Sequence, residues 1–245
     1  MKHTLIAPAV FIATAMAGNA ASLQQSATSA QLLEQFKTTA VFWQQFEVAK
    51  ELAKVGDAQA LAALEPLLRD DDRHVRANAA FVFAGRGDAR GLEALTAILA
   101  DRSDRPLGQG MPGGLFNTAT PRWWVPSQIR ADRYYAVHVL GELGDRRGVD
   151  ILIPLLGDPE VNYHAAWALG QIRDRRAIGP LIRTLDDRDA LVRVSAIHAL
   201  EALDAKEALP QLRGLLNDQT MPSAGPRVTV ADTAKAAIAK LQKEP

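Results

Sequence analysis

Four of the five histidines of this chain share a helical register with aromatic, amide and carboxylate side chains. Within each group the residues recur at intervals of three or four, so each group would share one helix face. The groups are His74, Asn78 and Phe81; Tyr135, His138 and Glu142; His164, Trp167 and Gln171; and Ser195 with His198. Imidazole transfers protons near neutral pH and ligates metals, and aromatic rings with polar tips anchor partners.

Three interpretations of this His/aromatic stripe stay open. One is a partly solvated helix face without a specific partner, one is a binding groove, and one is a metal site. The groove hypothesis depends on the aromatic rings, which are typical anchors in protein interfaces. It predicts a protein- or peptide-binding site centred on Tyr135, His138, His164, Trp167 and His198.

Other common chemistry is absent from the sequence. The chain has no cysteine, which excludes disulfides, a thiol nucleophile and thiolate metal sites. It contains neither a G-x-S-x-G nor an H-E-x-x-H motif. The formal net charge is zero, whereas nucleic-acid binding needs clustered, uncompensated Lys and Arg. The favoured prediction is therefore no catalytic residue, no bound metal, no cofactor and no nucleic-acid partner.

An internal repeat must position the stripe. Its marker is an Asp, or once an alanine, and successive markers lie 31, 57, 29 and 31 residues apart: Asp57, Asp88, Asp145, Asp174 and Ala205. The long interval equals one repeat plus an insertion of roughly 26 residues. Apolar residues at intervals of three and four follow each marker and predict a helix that the Asp can cap. A second helix precedes each marker, with alanines that let neighbouring helices approach closely.

Two helices per repeat of about 30 residues predict an α-solenoid. The segments 71–90, 131–149, 160–178 and 189–209 follow D-x-x-V-R-x-x-A-A-x-A-L-G-x-[IL]-G-D-x-R-A, a pattern that resembles HEAT-like repeats of the phycobilisome lyase type. The resemblance covers about residues 40–242. It implies an all-α fold, an α-solenoid of about six HEAT-like helix pairs in a right-handed superhelix. Such folds serve scaffolds, lyases, hydroxylases and DNA-binding proteins alike, so the resemblance implies little about function.

The resemblance also bears on the metal hypothesis. HEAT-like deoxyhypusine hydroxylases bind iron through His-Glu dipeptides, and no histidine of this chain is followed by glutamate. His138 and Glu142 nevertheless lie four residues apart, and His164 and His198 would approach from the next repeats. A lyase-like or metal-dependent enzyme acting on a small ligand through the stripe is therefore the alternative to a binding groove.

A row of arginines recurs with the repeat. Arg76, Arg133 and Arg193 occupy the same position in three repeats, and Asn162 replaces the arginine once. We expect these arginines to form a structural ladder along the stack. The expected partners are aspartates of the inter-helix turns, Asp70–Asp72, Asp187 and Asp189.

Two insertions interrupt the repeats. The longer runs from about 101 to 129; its prolines and glycines oppose regular structure, yet it is too apolar for a solvated loop. Its binding candidates are Phe116, Arg122, Trp123 and Trp124. Either the two tryptophans plug the ridge of their own repeat, or the loop folds over the concave face and shapes a pocket. The shorter insertion, 217–227, is predicted to be an exposed loop.

The first 21 residues have the features of a secretory signal peptide. Lys2 and His3 precede an apolar run, Leu5–Ala17, and the small residues that follow suit cleavage after about Ala20. The run is too short to span a bilayer comfortably, so we expect no stable membrane span after cleavage. We predict a signal peptide at 1–21, a disordered segment at 22–29 and the repeat domain at 30–245, in a periplasmic or secreted protein.

These observations favour a non-enzymatic scaffold or adaptor of the bacterial periplasm. We expect it to bind a protein or peptide in a concave groove beside the 101–129 insertion, because solenoids offer an extended surface. The identity of the partner and the oligomeric state do not follow from the sequence.

Overall fold

Residues 27–103, 125–223 and 227–243 are described by the structure, a computed structural model. Within these ranges the chain forms twelve α-helices in six consecutive pairs and no β-strand. The helices are α1 (Ser29–Thr38), α2 (Phe42–Val55), α3 (Ala58–Leu64), α4 (Arg73–Gly85), α5 (Ala89–Ala100), α6 (Val125–Leu143), α7 (Val149–Leu152), α8 (Asn162–Ile172), α9 (Ile178–Thr184), α10 (Ala190–Ala202), α11 (Leu209–Gly214) and α12 (Val230–Leu241). The predicted all-α solenoid is confirmed.

Short 3-10 helices complete the first helix of several pairs. They span Glu65–Arg69, Arg146–Gly148, Ile153–Gly157, Arg175–Ala177 and Lys206–Ala208. Two of them carry a proline at their first or second position, directly after α3 and α7. Because proline has no amide hydrogen and its ring crowds the preceding turn, the regular α-helix ends there.

The repeat markers cap the helices that follow them. The side chains of Asp57, Asp88, Asp145 and Asp174 each accept a hydrogen bond from a backbone amide two or three residues downstream. This bond satisfies an amide that would otherwise lack a partner at the helix start. Ala205, the fifth marker, has no side-chain acceptor and makes no such bond. The predicted capping is therefore confirmed wherever the marker is an aspartate.

The second helices, α2, α4, α6, α8, α10 and α12, pack against one another in that order. Small residues at their contacts permit a close approach, as expected from the recurring alanines: Ala79, Ala136, Ala165, Ala196 and Ala234 are fully buried. At Gly170 a Cβ atom would lie only 2.9 Å from the Cα atom of Ala199, so α8 and α10 meet backbone to backbone. This packing places the polar and aromatic side chains of successive second helices beside one another.

The arginines of the predicted ladder bond to carboxylates of the following helix pair. Each arginine and its carboxylate lie 25 residues apart in the chain: Arg76 with Asp101, Arg133 with Asp158, and Arg193 with Asp218. These are not the aspartates expected from the sequence. Asp187 takes part only through its carbonyl oxygen, which accepts from Arg193 at 2.6 Å. The difference arises because each guanidinium reaches forward to a carboxylate of the next inter-helix turn, while Arg193 also donates back to carbonyl oxygens of its own turn.

One boundary differs from the sequence-based expectation, and two predicted features fall outside the described residues. The helix α6 begins at Val125, inside the interval 101–129 predicted for the long insertion. The candidates Phe116, Arg122, Trp123 and Trp124, and the signal-like residues 1–21, lie outside the described residues, so the statements about them stay predictions. Among the helices that the structure describes, none is both long and apolar enough to cross a membrane.

Candidate functional site

A groove of about 980 Å³ runs along the second helices. Side chains of α2, α4 and α6 line it, together with the turns before α8 and α10 and the first residues of those two helices. Trp43 on α2 and Tyr134 on α6 are its most exposed large aromatic residues, with 48% and 36% of their surface accessible. Their rings are apolar area that a bound molecule could cover.

An aromatic cluster beside these rings joins α2, α4 and α6. The ring centroid of Phe42 lies 4.4 Å from that of His74 and 5.0 Å from that of Tyr135. His74 and Tyr135 are 4.9 Å apart. These separations are those of packed aromatic pairs, which contribute more than their buried area alone. The cluster therefore fixes the relative positions of the three helices that line the groove.

Tyr135 belongs to a buried chain of hydrogen bonds. Its hydroxyl donates to Oδ1 of Asn78 at 2.6 Å, and Nδ2 of Asn78 donates to Oε1 of Gln45 at 2.9 Å. Nε2 of Gln45 in turn donates to the carbonyl oxygen of Phe36 at 3.0 Å. Burial raises the pKa of Tyr135, so the phenol stays protonated as the donor. The polar tip of Tyr135 is thus used within the fold.

A stack of nearly parallel rings links α6 to α8. Tyr134 lies over His164 with 3.7 Å between ring centroids, and His164 lies 4.7 Å from Trp167. Trp167 is in turn parallel to His138, at 5.1 Å. Because each ring supports the next, Tyr134 is held in place at the open end of the stack.

The two imidazoles of this stack are uncharged at neutral pH. Burial lowers the pKa of His164 from its ordinary value of 6.5 to about 3, and the neighbouring His138 adds a smaller effect in the same direction. Burial also lowers the pKa of His138, against an opposing effect of Glu142. Nε2 of His164 is buried without a hydrogen-bond partner among the described residues. Both histidines therefore act as neutral aromatic rings at pH 7.

The four histidines that the structure describes do not assemble a recognisable metal site. The rings of His138 and His164 lie 5.7 Å apart, while His198 is exposed on α10. In the described part of the chain, no group of three or more His, Asp or Glu side chains is arranged to hold a metal ion. The ligand set that the metal hypothesis requires is thus not found in those residues.

A charged corner lies at the α2 end of the groove. Nζ of Lys50 is 2.9 Å from Oε1 of Glu47 and 3.6 Å from Oε2 of Glu142. The same ammonium lies 4.9 Å from the ring centroid of Phe46, in cation–π geometry. The groove thus combines exposed aromatic area with a corner in which the ammonium of Lys50 lies beside two carboxylates and an aromatic ring.

Comparison with known families identifies the repeat. The family model for HEAT repeats matches residues 20–109, 127–178 and 157–223, more than half of the chain. The chain belongs to the HEAT-repeat family. The helix pairs within the matched residues are therefore HEAT repeats, and the resemblance inferred from the sequence motifs is confirmed.

Several solved structures are similar to this HEAT-repeat chain. One is the complex of CpcE and CpcF of phycocyanin lyase from a Nostoc species, with 23% identity, a TM-score of 0.48 and 76% of this chain covered. The match spans 66% of that chain, just under two thirds of its length. Others are an engineered protein (22% identity, TM-score 0.43, 87% and 96% of the two chains) and a designed armadillo repeat protein (18%, 0.41, 86% and 99%). No curated protein matches the sequence significantly.

The HEAT-repeat groove brings together only part of the predicted site. Tyr135 and His138 line it, whereas His164 and Trp167 lie in the ring stack and do not line it. His198 is exposed on α10 and is not among the lining residues. The rings of the stripe therefore form a connected set from α4 to α8, and His198 on α10 is not part of that set.

Two groove residues were missed by the sequence reasoning. Tyr134 lies four residues before His138, so helical spacing selects it as well as its neighbour Tyr135. Trp43 belongs to the first helix pair and precedes Asp57, the first repeat marker, so the alignment of the repeats on their markers does not include it. The excess of aromatic residues in Phe42–Phe46 is the signal that would have found it.

Proposed function

We propose that this HEAT-repeat protein is a non-enzymatic scaffold that binds a protein or peptide in the groove along its second helices. The observation that carries the proposal is the pair of exposed rings, Trp43 on α2 and Tyr134 on α6, in a groove of about 980 Å³. Tryptophan and tyrosine are the residues that most often dominate the binding energy of protein interfaces.

The preorganisation of these rings supports the proposal. Tyr134 stacks on His164, and Trp43 makes an edge contact with Phe42 at 5.0 Å between centroids. Side chains that are already fixed lose little conformational entropy when a partner binds, so more of the contact energy appears as affinity. Both rings therefore suit anchor positions better than Tyr135, whose hydroxyl is used by Asn78.

The extent of the groove favours a polypeptide ligand. Its lining includes residues of five second helices, α2, α4, α6, α8 and α10. A segment lying in it would contact several repeats at once, and stacked repeats are suited to such extended surfaces. The fixed, neutral imidazoles of His138 and His164 form part of the apolar support of this surface.

We further propose that the scaffold works in the bacterial periplasm. The proposal is based on the signal-like residues 1–21, with their basic start and apolar run. Expression of the full chain with a C-terminal tag in a Gram-negative host tests it. We expect the tagged protein in the periplasmic fraction with a mass that corresponds to cleavage near Ala20; an uncleaved protein in the cytosol would contradict the location.

The binding function is tested by capture from a periplasmic extract with the tagged chain. Trp43→Ala and Tyr134→Ala should each weaken the captured complex by ~1–3 kcal/mol, roughly five- to 150-fold, because each removes an anchor. The control is Met221→Ala, which truncates an exposed apolar side chain (58% accessible) outside the groove. We expect this control to bind as well as the wild type.

The same purified sample separates the scaffold from the alternative function. Metal content and bound small molecules are measured beside the captured proteins. If the sample holds a stoichiometric metal or organic ligand, and no protein depends on Trp43 or Tyr134 for capture, the scaffold proposal is wrong. A lyase-like or metal-dependent activity on a small ligand would then be the better account.

A further inference from the structure

The charged corner of the groove already binds one ammonium group. Lys50 bonds to Glu47 on its own helix and lies 3.6 Å from Glu142 on α6, with its ammonium over the ring of Phe46. Two carboxylates beside an aromatic face are the surroundings that protein sites offer to cationic side chains. The Lys50 side chain is 31% accessible, so the corner is open to solvent.

The lining of the groove carries more carboxylates than cations. The described lining residues include five carboxylates, Glu47, Asp132, Glu142, Glu160 and Asp189, against two basic side chains, Lys50 and Arg130. Two of the carboxylates are already paired with buried arginines: Asp132 with Arg73, and Glu160 with Arg133. An excess of negative charge therefore remains at the corner, where one ammonium faces two carboxylates.

His138 does not offset this excess. It faces the corner from α6, with its ring centroid 6.1 Å from that of Phe46. Burial lowers its pKa, so the imidazole carries no charge at pH 7. Trp43 and Tyr134 line the same groove, which places exposed aromatic area on the path of a ligand that reaches the corner.

We infer that the groove binds a basic peptide segment, and that a lysine or arginine side chain of that segment docks at the carboxylates of Glu47 and Glu142, beside Lys50. The inference rests on the proposed function, because it names the chemistry of the partner. An incoming cation complements the carboxylate charge that Lys50 alone does not balance. The neighbouring apolar part of the segment covers the rings of Trp43 and Tyr134.

Selection from a random peptide library on the immobilised full chain tests the inference. We expect the selected peptides to contain more Lys and Arg, and less Asp and Glu, than the unselected library. Glu142→Gln and Glu47→Gln should bring this enrichment close to the level of the unselected library. Lys50→Gln should increase it, because both carboxylates then lack their internal cation.

The control is Glu51→Gln, which lies on α2, pairs with Lys54 and does not line the groove. It should select the same basic peptides as the wild type. Thermal unfolding of every variant verifies that the fold is retained. If the corner had a merely structural role, Glu142→Gln and Lys50→Gln would change the enrichment of basic peptides in the same direction. Docking of a cation changes this enrichment in opposite directions in the two variants.

The outcomes distinguish the two proposals. Peptides that are selected through Trp43 and Tyr134 but show no basic bias would overturn the inference and leave the scaffold function standing. Failure to select any peptide above the blank surface would also overturn the inference, whereas the scaffold function is decided separately by the capture of a protein through Trp43 and Tyr134. Basic peptides whose enrichment is the same for wild type, Glu47→Gln and Glu142→Gln would show that the cation docks elsewhere.

Discussion

The imidazole ring of His138 on α6 lies parallel to the indole of Trp167 on α8, with 9° between their planes and 5.1 Å between their centroids. His164 and Tyr134 extend the same stack towards the groove. An imidazole enclosed in this way loses hydration that its charged form needs, which is the physical cause of the lowered pKa of His164. The stack therefore couples the stability of the fold to proton concentration.

We expect the wild type to lose stability between pH 7 and pH 5. The pKa of His164 is about 3 in the folded chain, below its ordinary value of 6.5. Protonation below pH 6.5 thus favours the unfolded chain, and the stability present above that pH is lost as the pH falls towards 3. The slope from one such group is at most about 1.4 kcal/mol per pH unit.

Urea unfolding of the wild type and His164→Phe at both pH values checks this expectation. Phenylalanine keeps an aromatic ring in the stack and cannot be protonated. The variant should therefore lose clearly less unfolding free energy between pH 7 and pH 5 than the wild type. Carboxylates whose pKa values are lowered contribute little in this range, because they titrate below it. An equal loss in the two proteins would contradict the assignment of the effect to His164.

Tyr135→Phe should destabilise the fold without weakening ligand binding. Removing the hydroxyl leaves Oδ1 of Asn78 without the bond that it accepts at 2.6 Å, and an unpaired buried acceptor costs about 1–3 kcal/mol. The aromatic packing of the ring on Phe42 and His74 is kept. Chemical unfolding measures the first effect and peptide affinity the second. A large loss of affinity with unchanged stability would show that the hydroxyl serves the ligand instead.

Gly170→Ala should loosen the contact between α8 and α10. The added methyl would lie 2.9 Å from the Cα atom of Ala199, and overpacking of this kind costs about 1–3 kcal/mol. Gly214→Ala is the matched control, since no atom lies within 4 Å of the new methyl in α11. Alanine favours helix over glycine by up to about 1 kcal/mol, so the control should be neutral or stabilising. Thermal unfolding should therefore show a lower midpoint for Gly170→Ala and an unchanged or higher midpoint for Gly214→Ala.

Arg133→Leu should lower stability by about 2–4 kcal/mol. The side chain is only 3% accessible, and its Nε donates to the carbonyl oxygen of Leu99 while its other nitrogens bind Asp158 and Glu160. Loss of the cation leaves these acceptors without their partner, although the carboxylates are partly solvated. Arg175→Leu, at an exposed pair with Glu207, should have little effect. Similar losses of stability in both variants would contradict the expectation that a buried arginine contributes more to stability than an exposed one.

The architecture follows from the sequence because its signals are local. An aspartate before a run of apolar residues at helical spacing caps the next helix, as Asp88 and Asp145 do, whatever the rest of the chain does. Alanines such as Ala165 recur at one position per repeat, and their burial follows from that regularity. Capping and periodicity therefore determine the helix pairs without knowledge of the tertiary structure.

The site is less predictable because it depends on the rotation of each helix and on contacts between repeats. Tyr134 and Tyr135 both satisfy a helical spacing to His138, yet only the packing of α6 decides that Tyr134 is exposed and Tyr135 is bonded to Asn78. The partner of Arg133 lies in the next repeat, so a comparison of equivalent positions among the repeats does not identify it. Spacing identifies the helix face, and three-dimensional packing assigns the individual roles.

Each arginine lies 25 residues before its carboxylate, and this separation limits where the chain can be divided if repeats are exchanged between proteins. Each such bond begins on the second helix of one pair and ends in the turn inside the next, as in Arg193 with Asp218. A chimera joined between α10 and α11 would transplant the arginine without its acceptor. The smallest interchangeable module of this stack is therefore staggered by half a repeat, from the second helix of one pair to the inter-helix turn of its successor.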